Sequence, residues 1–439
     1  MFVHYLELAL RSFKRNKVLT ALMVLALSLG IGASITTLTV LKLLSGDPLP
    51  QKSARLFTPV IDPTPPDNGA PAAPASMPRW WGDLMTYTDA MNLLHARKAE
   101  RQAVMALTQA KVMPRRPGQR PFYSNGVMTT ADFFTMFDAP FEYGTGWSAA
   151  DDENQARLAV ISHALDDRLF GGGDTVGQTI VVNSHDYRII GVLKPWAPQP
   201  RFYAIGLGGN DYGGGDGVFL PLQSARADQM GPEQASCWGA GAGTSRLEAA
   251  PCAWVGLWIE LAHASDAGAY QRFLSNYVAQ QVSLGRMHDR KVWLYSLMGF
   301  LGWQQVVPDD VKLQNYLAFG FLLICIVGTV GLLLAKCLRR SREIGVRRAL
   351  GASRSAIFAQ FMVESGMVGL AGGVLGLVFA ELGLWAIRQQ PVHYARLAHL
   401  DPTMFATTFA IALIASLLAG VLPAWRACLI APGPQLKDM

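Results

Sequence analysis

The residues in this sequence best equipped for chemistry are a glycine-rich stretch, two outlying cysteines and three scattered histidines, and each group would do something different. "GLGGNDYGGGDG", Gly206 to Gly217, has the composition of a phosphate cradle or a calcium loop. A phosphate cradle needs a Lys followed by Ser or Thr where a helix begins, and a calcium solenoid needs tandem nonapeptides. The stretch has neither, so a mobile glycine-rich loop is expected. His163, His185 and His263 lack ligand spacing, which predicts surface or packing roles and no metal site. Nothing in the chain matches GxSxG, HExxH or GxxxxGK followed by Ser or Thr, so no catalytic residue and no bound cofactor are expected.

Cys237 and Cys252 bracket "WGAGAGTSRLEAAP". On an oxidising side of a membrane a loop of about 15 residues is bridgeable, and closing it stabilises by roughly 3 kcal/mol in the chain-entropy picture. A Cys237–Cys252 disulfide is therefore expected, with two unpaired thiols as the alternative that spacing leaves open. Cys325, Cys337 and Cys428 fall in or beside apolar runs, towards a side where thiols stay reduced.

Composition says what must hold these residues. The 439 residues are 51% hydrophobic and only 16% charged, with a mean hydropathy of +0.21. That is too apolar for an ordinary soluble chain and natural for a membrane protein. Four runs are long enough to cross a hydrocarbon core of about 30 Å: residues 18–44, 316–338, 358–387 and 405–422. The first follows "LRSFKRNK" and, at about twice the length of a signal-peptide core, reads as an uncleaved signal anchor.

Arg11, Lys14, Arg15 and Lys17 precede the first run, and Lys336, Arg339, Arg340, Arg342, Arg347, Arg348 and Arg354 lie between the second and third. By the positive-inside rule both clusters are cytoplasmic. Residues 1–17, 339–357 and 423–439 then face inward, residues 388–404 form a short outer loop, and residues 45–315 form one large outer domain. The net charge of +6 thus serves topology and contact with anionic membrane lipid or an acidic partner surface. With no basic patch interleaved with aromatics, no nucleic-acid partner is expected.

The outer domain reads as α+β. "PVIDPTPPDNGAPAAPASMP", Pro59 to Pro78, reads as a spacer; Trp80 to Gln109 carries helical spacing; and "ADFFTMF", Ala131 to Phe137, reads as a short helix. The clearest pattern is "LAVISHALDDRLFGGGDTVGQTIVVNSHDYRIIGVL", Leu158 to Leu193. It predicts a strand, Ser162 as N-cap, a helix to Phe170 stopped by glycines, and two β-runs around an "NSHD" turn. "AWVGLWIELAHASDAGAYQRFLSNYVAQQV" adds a last strand and helix.

Small residues recur at helical spacing inside the apolar runs: Ala26, Gly30 and Ser34 in the first, Gly369 with Gly373 and Gly372 with Gly376 in the third, and Ser416 with Gly420 in the fourth. They predict close helix packing, within the four-helix unit or across a dimer, rather than a wide polar pore. Glu381, less than two turns before Arg388, is expected to sit at the outer interface, with a place on a polar pathway as the alternative.

"RRSREIGVRRALGASRSAIF", Arg339 to Phe358, concentrates arginines between two apolar runs. "SREIGVRRAL" reads as a short helix on which Arg339, Glu343 and Arg347 stack at i, i+4 spacing; Gly351 ends it and Ser353 caps the next helix. Periodicity leaves two readings open: a lever that moves both flanking spans, or a membrane-surface helix that holds topology.

"SREIGVRRALGAS", Ser341 to Ser353, resembles the signature of the FtsX-like, MacB-type permeases of ABC transporters, the type VII or mechanotransmission class. "ALRSFKRNKVLTALMVLALSLGIGA" is similar to that family's first helix, and "FFTMFDAPFEYGTGW" and the Leu158–Leu193 stretch are similar to its periplasmic core domain. "PAWRACLIAP", with Pro423, Ala424, Arg426, Ala427 and Pro432, resembles its tail motif, although Trp425 stands where a basic residue is usual.

The resemblance covers nearly the whole chain. It implies an integral membrane α-helical protein with four transmembrane helices and a large α+β periplasmic domain inserted between helices 1 and 2. Such a protein sits in the bacterial inner membrane with both termini cytoplasmic. It also implies a non-catalytic permease subunit that docks a separate ATP-binding subunit, the holder of ATP and Mg. The docking residues would be Ser341, Arg342, Glu343, Ile344, Gly345, Val346, Arg347, Arg348, Leu350 and Gly351. A second permease copy or a related permease, a membrane-fusion protein and an outer-membrane factor are the further implied partners. Export or extrusion of a substrate from the periplasmic side is the implied activity; the alternative is a signalling permease that regulates a periplasmic cell-wall hydrolase.

Overall fold

The computed structural model describes residues 17–66, 84–114, 120–209, 211–238, 247, 251–288, 291–391, 394–400 and 402–428. Arg11, Lys14, Arg15, Pro432 and most of the Pro-rich stretch lie outside them. The chain divides into a helical unit, Met1–Ser45 with Val307–Met439, and a mixed unit, Gly46–Val306. It starts with α1 (Lys17–Ser45) and continues through β1 (Leu56–Ile61), β2 (Met85–Thr86), α2 (Tyr87–Ala96), β3 (Arg101–Met113), β4 (Phe122–Thr129), α3 (Phe133–Met136) and β5 (Phe141–Gly144). Next come α4 (Ala149–Glu153), β6 (Leu158–Ser162), α5 (His163–Phe170), β7 (Thr179–Val182), β8 (His185–Leu193), β9 (Val218–Pro221), α6 (Leu222–Ala227) and β10 (Ser236–Cys237). The mixed unit ends with β11 (Cys252–Glu260), α7 (Ala267–Ser283), β12 (Val292–Ser296) and α8 (Leu297–Trp303). The helical unit resumes with α9 (Asp309–Arg339), α10 (Ser341–Ala349), α11 (Arg354–Arg388) and α12 (Pro402–Cys428).

The strands make one sheet in the order β12-β1-β11-β3-β4-β9-β6-β8-β5, with β2 and β10 added to β11 and β7 bridging β3 and β8. Pairing is antiparallel except between β4 and β9 and between β6 and β8. All of β11 is buried, as is β3 from Gln102 to Thr108. A strand covered on both faces loses the alternation that marks a half-exposed one, which is why Trp80–Gln109 looked helical. Among the described residues of this stretch the helix is Tyr87–Ala96, stopped by Arg97 in the left-handed region at φ 48°, and Arg101 to Met113 is strand.

Pro59 to Ile61 likewise belong to β1 rather than to a spacer, with Pro59 opposite Leu294. The register of β1 with β11 runs over Leu56 and Phe57, so Pro59 forfeits no ladder bond there. The Leu158–Leu193 pattern folds as its residues direct. Ser162 Oγ accepts from Leu165 N, Gly171 closes α5 at φ 89°, and Asn183 and Ser184, at φ 47° and 71°, make the two-residue turn between β7 and β8.

In the helical unit, α1, α9, α11 and α12 are each long and apolar enough to cross a membrane. Their small residues pack against one another within the chain. A Cβ added at Gly30 would sit 2.9 Å from Leu322 Cδ1 of α9, and Ser34 Oγ donates to Ala318 O of α9 at 3.2 Å. Ala26 is half-buried on the same helix. The two glycine pairs of α11 serve different neighbours. Gly372 and Gly376 meet Leu27 and Ile31 of α1, whereas Gly369 and Gly373 meet Ser416 and Ala412 of α12. The close approaches thus need no second copy.

The helices also outrun the apolar runs that mark them. α12 continues to Cys428, so Pro423, Ala424 and Ala427 are helix and not tail. They stay helical because Ala424 and Ala427 extend the packed face and are fully buried.

Candidate functional site

α10 is a short helix set between two long ones, and its ends explain why it is separate. The helical path of α9 breaks at Arg340, at φ −102° and ψ 6°. At the other end Gly351, at φ +98°, takes a left-handed turn that a side chain would resist. There Gly351 N donates to Arg348 O and Ala352 N to Arg347 O. Ser353 then caps α11 by accepting from Ala356 N at 3.2 Å.

The inner face of α10 is seated on three spans at once. Ile344, 6% exposed, packs with Cys337 of α9, Ile357 and Phe361 of α11, and Ala424, Ala427 and Cys428 of α12. Gly345 is buried beside it. Arg347 Nη2 donates to Glu343 Oε1 at 2.7 Å and its Nη1 to Gln360 of α11 at 3.2 Å. Arg348 Nη1 donates to the carbonyl of Cys428 at 3.2 Å, which ties α10 to α12. The break at Arg340 leaves Arg339 on α9, so the expected three-residue stack is reduced to the pair on α10 itself. The outer face carries Arg342, Val346 and Leu350, with Leu350 83% exposed. The ten residues singled out in the sequence therefore divide by role: Ile344, Gly345, Arg347 and Arg348 lie on the side held to the spans, Glu343 pairs with Arg347 on α10 itself, and Arg342, Val346 and Leu350 face away from the spans. Ser341 opens the helix and Gly351 follows its end.

Beneath α10 lies a charge cluster that sequence reasoning missed. Glu364 of α11 accepts from Lys336 Nζ of α9, and Arg340 Nη1 stands 3.7 Å from its other oxygen. A lone Glu inside an apolar run followed by an i, i+4 series of small residues was the available signal. Glu381, farther along α11, accepts from Arg388 at 2.6 Å and is half exposed.

The mixed unit holds a cleft of about 850 Å³ bordered by Tyr87, Met91, Arg97, Arg101, Asp132 and Asp152. The glycine-rich stretch is anchored near its C-terminal end through Asp216. Arg201 Nη2 donates to Asp216 Oδ1 at 2.7 Å and Tyr203 Oη to Asp216 Oδ2 at 2.8 Å, with all three side chains buried. Cys237 and Cys252, directly opposite on β10 and β11, form a disulfide. His163 bonds Glu142, His185 lies 3.7 Å from Asp228 and His263 lies 3.6 Å from Asp266. Among the described residues no group of three or more His, Cys, Asp or Glu could hold a metal.

Residues 20–272 match the MacB-like periplasmic core domain family, and residues 315–432 match the FtsX-like permease C-terminal family. The pyoverdine export ATP-binding/permease protein PvdT of Pseudomonas syringae pv. syringae (strain B728a) is 26% identical over 314 residues, which cover 70% of this chain and 41% of that protein. The macrolide export ATP-binding/permease protein MacB of Wolinella succinogenes is 24% identical over 324 residues, covering 69% and 42%. The chain spans less than half the length of these two relatives. Among solved structures, the periplasmic region of MacB from Actinobacillus actinomycetemcomitans aligns with a TM-score of 0.37 at 10% identity, over 58% of this chain and 94% of that one. The core-domain match spans more than half of the residues and the permease match lies over α10 and its flanking spans, and on these two matches the chain belongs to the FtsX/MacB-type permease family.

Proposed function

We propose that the chain is the permease of an ABC-type exporter and that α10 is where a separate ATP-binding subunit pushes. The observation that carries this reading is the division of α10 into a face seated on α9, α11 and α12 and a free face made of Arg342, Val346 and Leu350. An apolar centre with arginines around it suits a partner groove that is apolar at its floor and acidic at its rim. The arginines support a cytoplasmic placement of this face by the positive-inside rule, where ATP is available. In this reading ATP and Mg act on the partner, whose closure displaces α10, and Ile344, Arg347 and Arg348 pass the displacement to the spans. The mixed unit, on the outer side, then drives a substrate outward. The names of the relatives support export, and their greater length supports an ATP-binding part beyond the residues aligned here.

The test is the double substitution Val346→Asp with Leu350→Asp in a permease co-expressed with its ATP-binding subunit. Both side chains are exposed, so membrane level and melting temperature should hold while co-purification of the ATP-binding subunit and stimulation of its hydrolysis are lost. Wild-type binding and stimulation in this variant would overturn the docking assignment. A wild-type complex that couples hydrolysis, exports nothing and captures a periplasmic hydrolase would favour the signalling alternative.

A further inference from the structure

Charge is rare inside a membrane helix because leaving water is costly, so a buried ionisable residue there calls for a reason. Glu364 lies well inside α11, about 15 Å along the axis from its first residue at 1.5 Å per residue. Its side chain is 2% exposed and that of its partner Lys336 1%. Arg340, on which α9 ends and α10 begins, reaches the second carboxylate oxygen at 3.7 Å. One turn earlier on α11, Gln360 accepts from Arg347 at 3.2 Å. Residues four apart share a helix face, so both ends of α10 are fastened to one stripe of α11, and Lys336 fastens the end of α9 to the same stripe.

We propose that Lys336, Arg340 and Glu364 form a charged joint that makes α9, α10 and α11 move as one piece. They are positioning residues for coupling, and the proposal rests on the permease reading above. Stability alone is a poor reason to keep such a cluster. Desolvating two ions offsets most of their attraction, and apolar residues of similar volume often replace a buried pair without loss. Topology is no better a reason, since the exposed Arg339 and Arg342 beside it already supply inward charge. What apolar residues cannot supply is a fixed register. A hydrogen-bonded ion pair has one geometry, whereas two apolar surfaces can slide past each other. A push on Leu350 that would otherwise be lost as slippage of α10 is thereby delivered to α9 and α11.

Glu364→Gln alone leaves Lys336 buried without its charge partner and can fail by misfolding, so the decisive variant is Lys336→Met with Glu364→Met. This pair removes both charges at similar volume. In the full-length permease assembled with its ATP-binding subunit, the double variant should keep its membrane level, melting temperature and partner binding. Permease-stimulated hydrolysis per assembled complex should fall roughly tenfold, within the usual range of coupling between sites. A double variant that stimulates hydrolysis as the wild type does overturns the joint. So does one that loses melting temperature or membrane level while each assembled complex still couples fully, since that is the behaviour of a merely structural pair. Failure of the wild-type permease itself to bind or stimulate the ATP-binding subunit would instead strike the permease reading, so the two failures are distinguishable.

Discussion

Asp152 accepts the backbone N–H of Ala131 at 2.8 Å from within the mixed unit, where burial pushes its carboxyl up to about 7. An Asp in the unfolded chain ionises near 3.9. Between about pH 4 and pH 7 the folded form therefore keeps a proton that the unfolded form has lost, and stability falls as pH rises across that window. Asp152→Asn, which mimics the protonated group, should raise the melting temperature at pH 8, and the gain should shrink as the pH is lowered towards 5. Parallel melting curves for the two proteins across that range would discount the burial argument. The Cys237–Cys252 bridge makes a second prediction. Non-reduced peptide mapping should recover the linked pair, and replacing both by Ser should cost about 3 kcal/mol for a loop of this length. This pair was legible because compartment and spacing both bear on it. The Lys336–Glu364 pair was not, because its members stand 28 positions apart and a hydropathy window absorbs one Glu without remark.

At the scale of elements, α11 is a helix of glycines aimed in two directions. A Cβ at Gly376 would come 2.9 Å from Ile31 Cγ2 of α1, whereas one at Gly331 of α9 would meet nothing within 4 Å. Gly376→Val should therefore destabilise the helical unit by roughly 1–3 kcal/mol of overpacking, read as lower membrane level and melting temperature. Gly331→Val should leave both near wild type, and equal effects at the two positions would contradict the packing described. Caps and tight turns were legible at this scale, since Ser162, Gly171, Asn183, Gly351 and Ser353 act through their own backbone or that of near neighbours. β3 was not. Its burial on both faces comes from distant strands and helices, and that erased the alternation by which a strand announces itself. The extension of α12 through Pro423 was missed for a related reason: what keeps it helical is the contact of Ala424 and Ala427 with α10 and α11, made across the unit.

For the molecule as a whole, the four spans and the large insertion were plain because apolar length is a local property. The strand order was not, because β1 and β12 pair across nearly the full length of the inserted unit. Phe57 lies opposite Ser296 and Ile61 opposite Val292, so the first and last strands of this unit are adjacent and antiparallel, and only α8 follows before the unit ends at Val306. Residues 46–306, expressed alone in an oxidising compartment, should therefore fold cooperatively with the Cys237–Cys252 link intact, which calorimetry and peptide mapping can check; a non-cooperative melt would count against it. Domains whose ends lie close together are the ones that tolerate excision and insertion. The inserted unit is thus a cartridge: another domain with equally close ends could stand in its place in the sequence between α1 and α9, so the two halves of the chain are free to be exchanged separately by recombination.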